Sequence, residues 1–239
     1  MPSLSKALRN PLSIACMLFG SVPCSAAPTL ASNRYTPVEQ ATFHLLQFAD
    51  ADVAVLKNVY PPHSDSGFHL HSRELFYIVI TPARFGAQKP GGPLRLPANA
   101  VVAGSTGYNV MTADPFVHRV VNDDDRACHI VAIELRRELP AGDAVSARPD
   151  AYVAVFDNPR MRAWRLIIAP GQTVASMTQA AKGVRVVVRG GSLLIMAPGV
   201  EDQRLAIEPG DASIQAPGPT RALRNTGKAP IELIEIELK

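Results

Sequence analysis

Short runs of apolar and aromatic residues, separated by turn-forming residues, recur along the whole chain. Residues 75–80 are the clearest run: six apolar or aromatic side chains, rich in β-branched and ring types, which is typical of a buried strand. Residues 127–135 predict another strand. The 21 prolines and 16 glycines interrupt the chain too often for long helices. The pattern therefore predicts an all-β protein built from short strands.

The same pattern occurs twice. Residues 48–62 and 156–170 have the same length and share a strand followed by a proline-bounded turn, at an offset of 108 residues (156 minus 48). Further on, Gly107 aligns with Gly210, so the offset there is 103 residues (210 minus 107). The chain is therefore predicted to be an internal duplication, with a longer loop in the first copy at residues 81–100.

The two copies are separated by a segment without the alternation of a strand. Residues 139–149 break the apolar pattern and are predicted to form a linker. The first copy then spans residues 27–138 and the second copy residues 150–239. We therefore expect two β-domains in tandem.

Residues 1–26 have the features of a secretory signal peptide. Lys6 and Arg9 form a basic region, residues 12–22 are apolar, and small residues ending at Ala26 suit cleavage by signal peptidase. The apolar stretch is too short for a transmembrane helix. The mature protein is expected to be periplasmic or secreted, with no membrane association after cleavage.

The charge of the mature chain is close to zero. Without Lys6 and Arg9 it has 22 basic residues (24 minus 2) against 21 acidic ones, which is no electrostatic footprint for nucleic acid. The single tryptophan offers no platform for base stacking. The expected partner is a small-molecule ligand or substrate, and exposed strand edges also allow a homodimer.

Three histidines and one carboxylate carry the candidate chemistry: His69, His71 and Glu74 in one short segment, and His118 further along. On a strand, residues two apart point to the same face, so His69 and His71 project together. If residues 72–73 form a two-residue turn, Glu74 becomes the cross-strand partner of His71. Imidazole and carboxylate groups are ligands of divalent transition metals. The segment predicts a mononuclear metal site.

A simpler interpretation competes with the metal site. Histidines often occur as hydrogen-bonded core or surface residues, and Glu74 could pair with a neighbouring base. In that case the duplicated domain is purely structural and its histidines are incidental. Because His63, His69 and His71 lie close together beside an apolar strand, we favour the metal site.

The sequence resembles the cupin superfamily at these residues. The runs PPHSDSGFHLHSRELFYIVI (residues 61–80) and GYNVMTADPFVHRVVN (residues 107–122) look like the two conserved cupin motifs, and the Pro-Gly-Asp turn at residues 209–211 is similar to that of cupin strands. The resemblance implies a bicupin: all-β, with two cupin-type (double-stranded β-helix, or jelly-roll) barrels in tandem. It also implies that the metal ligands are His69, His71, Glu74 and His118.

The sequence departs from the cupin pattern in both copies. The spacing from His71 to Glu74 is shorter than in the commonest motif, and Phe116 replaces a small residue before His118, which should narrow the pocket. The second copy lacks metal ligands and is either a structural partner or an anion-binding pocket. At the ligand places it has Met177, Gln179, Lys182 or Gly183, and Arg221.

The resemblance implies one divalent transition metal per chain, with Mn, Fe and Ni as the first expectations and Zn as a further one. The leading hypothesis is an exported metal-dependent enzyme, a dioxygenase or decarboxylase, that acts on a small organic molecule. The alternative is a non-catalytic module that binds a metal or a small ligand. The pattern identifies no catalytic acid or base; His63 and Tyr108 are candidates by position only.

Overall fold

A computed structural model of the chain describes residues 34–110, 115–136, 146–218 and 220–239. The predicted signal peptide and residues 139–145 of the predicted linker lie outside these ranges. The described residues form 18 strands and one short 3-10 helix, Val38–Gln40. None of their helices is long and apolar enough to cross a bilayer. The all-β prediction is confirmed.

The strands of the first half form two facing sheets of a jelly-roll barrel. They are β1 Thr36–Pro37, β2 His44–Ala49, β3 Val53–Tyr60, β4 His69–His71, β5 Leu75–Val79, β6 Phe85–Gln88, β7 Thr106–Asn109, β8 Phe116–Asn122 and β9 Cys128–Leu135. One sheet has the order β2-β3-β9-β5-β7 and the other the order β1-β4-β8-β6. All pairs are antiparallel except β1 with β4.

The second half repeats this architecture. Its strands are β10 Tyr152–Asp157, β11 Met161–Ile168, β12 Thr173–Met177, β13 Gly183–Arg189, β14 Gly191–Met196, β15 Gln203–Ile207, β16 Ala212–Gln215, β17 Arg221–Asn225 and β18 Ile231–Leu238. The sheet orders are β10-β11-β18-β13-β16 and β12-β17-β14-β15. The predicted fold class, two jelly-roll barrels in tandem, is therefore present.

The structure corrects one alignment within the duplication. Gly104 has a φ of +78° and its amide donates to the Val79 carbonyl, and Gly210 has a φ of +90° and its amide donates to the Val187 carbonyl. Gly104 is therefore the counterpart of Gly210, whereas Gly107 lies inside β7. The conserved feature is a turn that needs a positive φ, which glycine adopts without strain. The extra length of the first copy is consequently divided between two loops.

Residues 72–73 do not form the two-residue turn that would make Glu74 the cross-strand partner of His71. β4 and β5 belong to different sheets of the barrel, so the chain crosses between sheets after His71. The register partner of His71 is Phe116 on β8, and not Glu74. The apolar side chains of β5 explain why it joins the five-stranded sheet and does not form a hairpin with β4, because that sheet is covered on both faces.

The two five-stranded sheets pack face to face and form a core shared by both barrels. On β3, β5 and β9, alternate residues such as Val55, Phe76 and Ile133 face the second barrel, which contributes Val186 and Ile234. The intervening residues of the same strands face their own barrel interior. This double coverage explains why every residue of β9 and of β18 is buried.

Part of the predicted linker is packed. Ser146 and the side chain of Arg148 are buried against the second barrel, where both contact the Glu237 carboxylate. Residues 146–149 therefore belong structurally to the second barrel.

Candidate metal centre

Two neighbouring strands of the four-stranded sheet bring the three predicted histidines together. His69 on β4 lies directly opposite His118 on β8, and the two-residue period of β4 places His71 on the same inward face. One ring nitrogen of each histidine lies within 4.8 Å of the others. The three residues are 0%, 2% and 7% exposed for His69, His71 and His118, so the group is buried inside the first barrel.

Hydrogen bonds determine which ring nitrogen His69 and His71 offer. Nδ1 of His69 is 3.0 Å from the Gly67 carbonyl oxygen, and Nδ1 of His71 is 3.0 Å from Oε1 of Glu134. Both partners accept hydrogen bonds, so each Nδ1 carries the proton and each Nε2 keeps its lone pair. Nε2 of His69 has no hydrogen-bond partner among the described residues. The free lone pairs belong to the inward-facing nitrogens.

This arrangement fits a divalent metal ion. Nε2 of His71 and Nε2 of His118 are 3.1 Å apart. Two nitrogens bound to one ion at about 2.1 Å stand roughly 3.0 to 3.4 Å apart at tetrahedral or octahedral angles. Burial, with a smaller contribution from neighbouring imidazoles, lowers the pKa of His69 to about 3 and that of His118 to about 2. Neutral imidazole is the form that binds metal.

Glu74 lies outside the group of histidines. Its Oε2 accepts hydrogen bonds from the Tyr108 hydroxyl, at 2.8 Å, and from Nη1 of Arg160 in the second barrel, also at 2.8 Å. Glu74 immediately precedes β5, which belongs to the opposite sheet from β4. The structure thus brings three of the four predicted ligands together, and metal binding by Glu74 stays a prediction.

The two residues considered as catalytic groups by position also lie elsewhere. His63 is exposed and pairs with Asp125 at 2.9 Å. The Tyr108 ring stacks on Phe156 of the second barrel, with centroids 4.9 Å apart. Burial, together with the hydrogen bond to Glu74, raises the pKa of Tyr108 to about 12. Neither residue lines the cavity beside the histidines.

Two residues of the site do not belong to any motif in the sequence. His44 on β2 has its ring centroid 4.4 Å from that of His69, and its Nδ1 donates to the Thr42 carbonyl at 2.8 Å. Its Nε2 therefore accepts from the Tyr60 hydroxyl at 3.2 Å. Glu134 on β9 is the second. A single carboxylate inside the apolar run 127–135 is a signal that could have identified it.

A cavity of about 110 Å³ lies beside the histidines inside the first barrel. Its lining contains no Lys, Arg, Asp or Glu among the described residues: it consists of His44, Asn58, Tyr60, His71, Leu75, Tyr77, Phe85, Ala87, Asn109, Phe116, His118, Val120, Ile130 and Ala132. The ring of Phe116, predicted to narrow the pocket, lies 4.5 Å from that of His118.

The Tyr77 side chain, which lines the cavity, requires a glycine on the neighbouring strand. Gly107 lies opposite Tyr77, and a Cβ at this position would come within 2.3 Å of the tyrosine ring.

The second barrel has no corresponding metal group among the described residues. Met177 pairs with Arg221 in register, as His69 pairs with His118. Its interior contains a buried ion network instead, in which Arg148 and Arg185 both bind Glu235, at 2.8 and 2.7 Å. This network supports the structural alternative for the second barrel.

Comparison with solved structures identifies the fold. AerE from Microcystis aeruginosa has a TM-score of 0.58 and 14% identity, over 86% of this chain and 97% of AerE. An oxalate decarboxylase from Lactobacillus farciminis, solved as a formate complex, has a TM-score of 0.54 and 12% identity, over 81% and 80%. A salicylate 1,2-dioxygenase from Pseudaminobacter salicylatoxidans has a TM-score of 0.51 and 13% identity, over 84% and 76%.

These similarities confirm the predicted architecture: the chain has the bicupin fold. No protein-family model matches the sequence, and no curated protein sequence matches it either.

Proposed function

We propose that this protein is an exported, metal-dependent cupin-type enzyme that acts on a small organic molecule at one mononuclear site in the first barrel. The observation that supports it is the convergence of three buried imidazoles, which could hold a metal ion, beside a cavity of the first barrel. Similar structures include a dioxygenase and a decarboxylase, which makes an oxygenase or decarboxylase reaction the first choice. Residues 1–26, with their signal-peptide features, are the basis for proposing export.

His69, His71 and His118 would hold the ion. A divalent metal bound there supplies Lewis acidity and orients an oxygen-bearing substrate. Apolar side chains such as Leu75 and Phe116 line the cavity beside this position and limit its contact with water.

The cavity indicates the kind of molecule that fits. It is smaller than the engineered cavity of about 150 Å³ that accepts benzene in a well-studied protein. Apolar walls with a few neutral hydrogen-bonding groups, including Asn58 and Asn109, suit a compact substrate with an apolar body. A larger substrate could extend into a neighbouring cavity of about 530 Å³, which shares Asn109 and Phe116 with the first.

One observation favours a second candidate, a non-catalytic module that binds a metal or a small ligand. His63 and Tyr108, the acid or base candidates by position, do not line the cavity beside the histidines, and Tyr108 lines only the neighbouring one. The enzyme and the metal-binding module differ in turnover, whereas a module that binds a small ligand needs no metal.

Metal reconstitution followed by turnover assays tests the proposal. We expect about one Mn²⁺, Fe²⁺ or Ni²⁺ per chain, and less than about 0.1 in His69→Ala. His63→Ala is the matched control, since this exposed histidine pairs with Asp125 and should leave metal content unchanged. A panel of small organic acids and hydroxylated aromatics, assayed for O₂ uptake and CO₂ release, then separates enzyme from module. Wild-type protein without bound metal would contradict the enzyme and the metal-binding module, and would leave only a module that binds a small ligand.

A further inference from the structure

A buried carboxylate lies directly behind the histidine group. Glu134 is 1% exposed and sits on β9, whose other members are almost all apolar. Its Oε1 is 3.0 Å from Nδ1 of His71. Burying an ionised carboxylate costs several kcal/mol unless a good partner compensates it. The contact with His71 is therefore a specific pairing.

We propose that Glu134 supplies the carboxylate of this metal site, acting through His71 instead of binding the ion. This inference rests on the metal site of the proposed function. By accepting a hydrogen bond from Nδ1 of His71, Glu134 orients the ring so that Nε2 faces the other histidines, and makes Nε2 a stronger electron-pair donor to a metal. It also places a negative charge behind His71, so that a divalent ion held by three neutral ligands has an anionic group in the next layer of residues. Glu134 is thus a positioning residue.

The duplication shows why Glu74 does not have this role in the structure. Glu74 pairs with Arg160 across the barrel interface, and Lys182 pairs with Asp52 across the same interface. Lys182 is the counterpart of Glu74, and Arg160 that of Asp52, both at the offset of 108 residues (182 minus 74, and 160 minus 52). Both copies therefore use this position to join the barrels, with the charges reversed.

The second barrel supplies an internal comparison for Glu134. Glu237 on β18 is its counterpart at the offset of 103 residues (237 minus 134), and is also fully buried. Where the first barrel has His71, the second has Gln179, and Glu237 instead accepts from Ser146, from the Ala181 amide and from Arg148. A buried carboxylate at this place is thus retained in both barrels but partnered by histidine only beside the metal group.

Titration of the purified protein with Co²⁺ alone tests the inference. Glu134→Gln keeps an oxygen that can accept from His71 and removes the charge. We expect it to weaken Co²⁺ binding by about 10- to 100-fold and to change the visible absorption of the bound ion. Glu237→Gln, the matched control, should bind within about twofold of wild type with its spectrum, whereas Glu74→Gln tests the competing prediction that Glu74 supplies the carboxylate. Glu134→Asp retains the charge and should bind more tightly than Glu134→Gln.

The outcomes separate this inference from the proposed function. Wild-type affinity and spectrum in Glu134→Gln would overturn the inference and leave the metal site standing, as would a loss in Glu74→Gln equal to that in Glu134→Gln. If Glu134→Gln does not fold, as judged by circular dichroism, Glu134→Asp decides: a spectrum and affinity unlike those of wild type would count against a role for the charge. Failure of the wild-type protein to bind Co²⁺ would overturn the proposed function together with the inference.

Discussion

Four buried histidines bind a proton less readily in the folded protein than in the unfolded chain. Burial is the largest cause that lowers the pKa of His44 and of His129 to about 4, as it does for the more strongly shifted His69 and His118. His129 lies outside the metal group and packs against Gly210 of the second barrel. The lowered pKa values keep His69 and His118 in the neutral form that binds metal, but a buried histidine that resists protonation makes the fold less stable in acid.

We expect the metal-free protein to lose stability as the pH falls below about 6.5. These histidines have folded-state pKa values below their unfolded value, so between the two values the unfolded chain binds more protons. Each group then lowers the free energy of unfolding by up to about 1.4 kcal/mol per pH unit, with no effect above that range. Urea unfolding in EDTA at pH 7.5, 6.5 and 5.5 measures this. His129→Gln should remove the contribution of one histidine to the pH dependence of the free energy of unfolding. A free energy of unfolding that does not change with pH would contradict the lowered pKa values.

The sequence predicts part of the site because part of it is local. The alternation of β4 brings His69 and His71 to one face, and this follows from spacing alone. The position of Glu74 depends on which sheet β5 joins, and the partner of Glu134 lies 63 residues away along the chain. Contacts of that kind depend on strand pairing across the barrel, which spacing within one segment does not specify.

At the scale of elements, β9 and β18 show how one framework serves two interiors. Ala132 on β9 lines the cavity of the first barrel, and its counterpart on β18 is Glu235. Glu235 brings Arg148 and Arg185 into the second barrel, and Arg148 lies over the Trp164 ring at 4.2 Å. The small Ala132 thus leaves space for a ligand in the first barrel, whereas Glu235 at the same place introduces an ion network in the second.

We expect Arg148→Met to reduce the free energy of unfolding by about 3 to 5 kcal/mol, because it leaves buried carboxylates with less compensation. The side chains of Arg148 and Glu235 are both 4% exposed. Arg162→Met is the control: Arg162 pairs with Asp157 at the surface, and its loss should cost less than about 1 kcal/mol. Urea unfolding followed by the fluorescence of Trp164 measures both. Equal effects of the two substitutions would show that burial of the network contributes nothing.

At the scale of the whole molecule, the two barrels form a single packed body. Their five-stranded sheets share one apolar core, and charged pairs of reversed sign join them at two equivalent places. The duplication and the apolar runs were evident in the sequence. The docking of one sheet against the other was not, because it involves outward faces of strands whose partners belong to the other copy.

An exchange of charges tests whether Glu74 joins the barrels. Glu74→Lys places a second cation beside Arg160. We expect it to reduce the free energy of unfolding by about 2 to 3 kcal/mol. In the double variant Glu74→Lys/Arg160→Glu an opposite-charge pair can form again. We expect the double variant to recover at least about half of the loss, since the interaction energy between contacting residues is about 0.5 to 3 kcal/mol. The measurement is urea unfolding of the single variants, the double variant and wild type. Additive losses would mean that the two side chains do not interact, whereas recovery with undiminished Co²⁺ binding would assign Glu74 to the barrel interface and leave the ion to the three histidines.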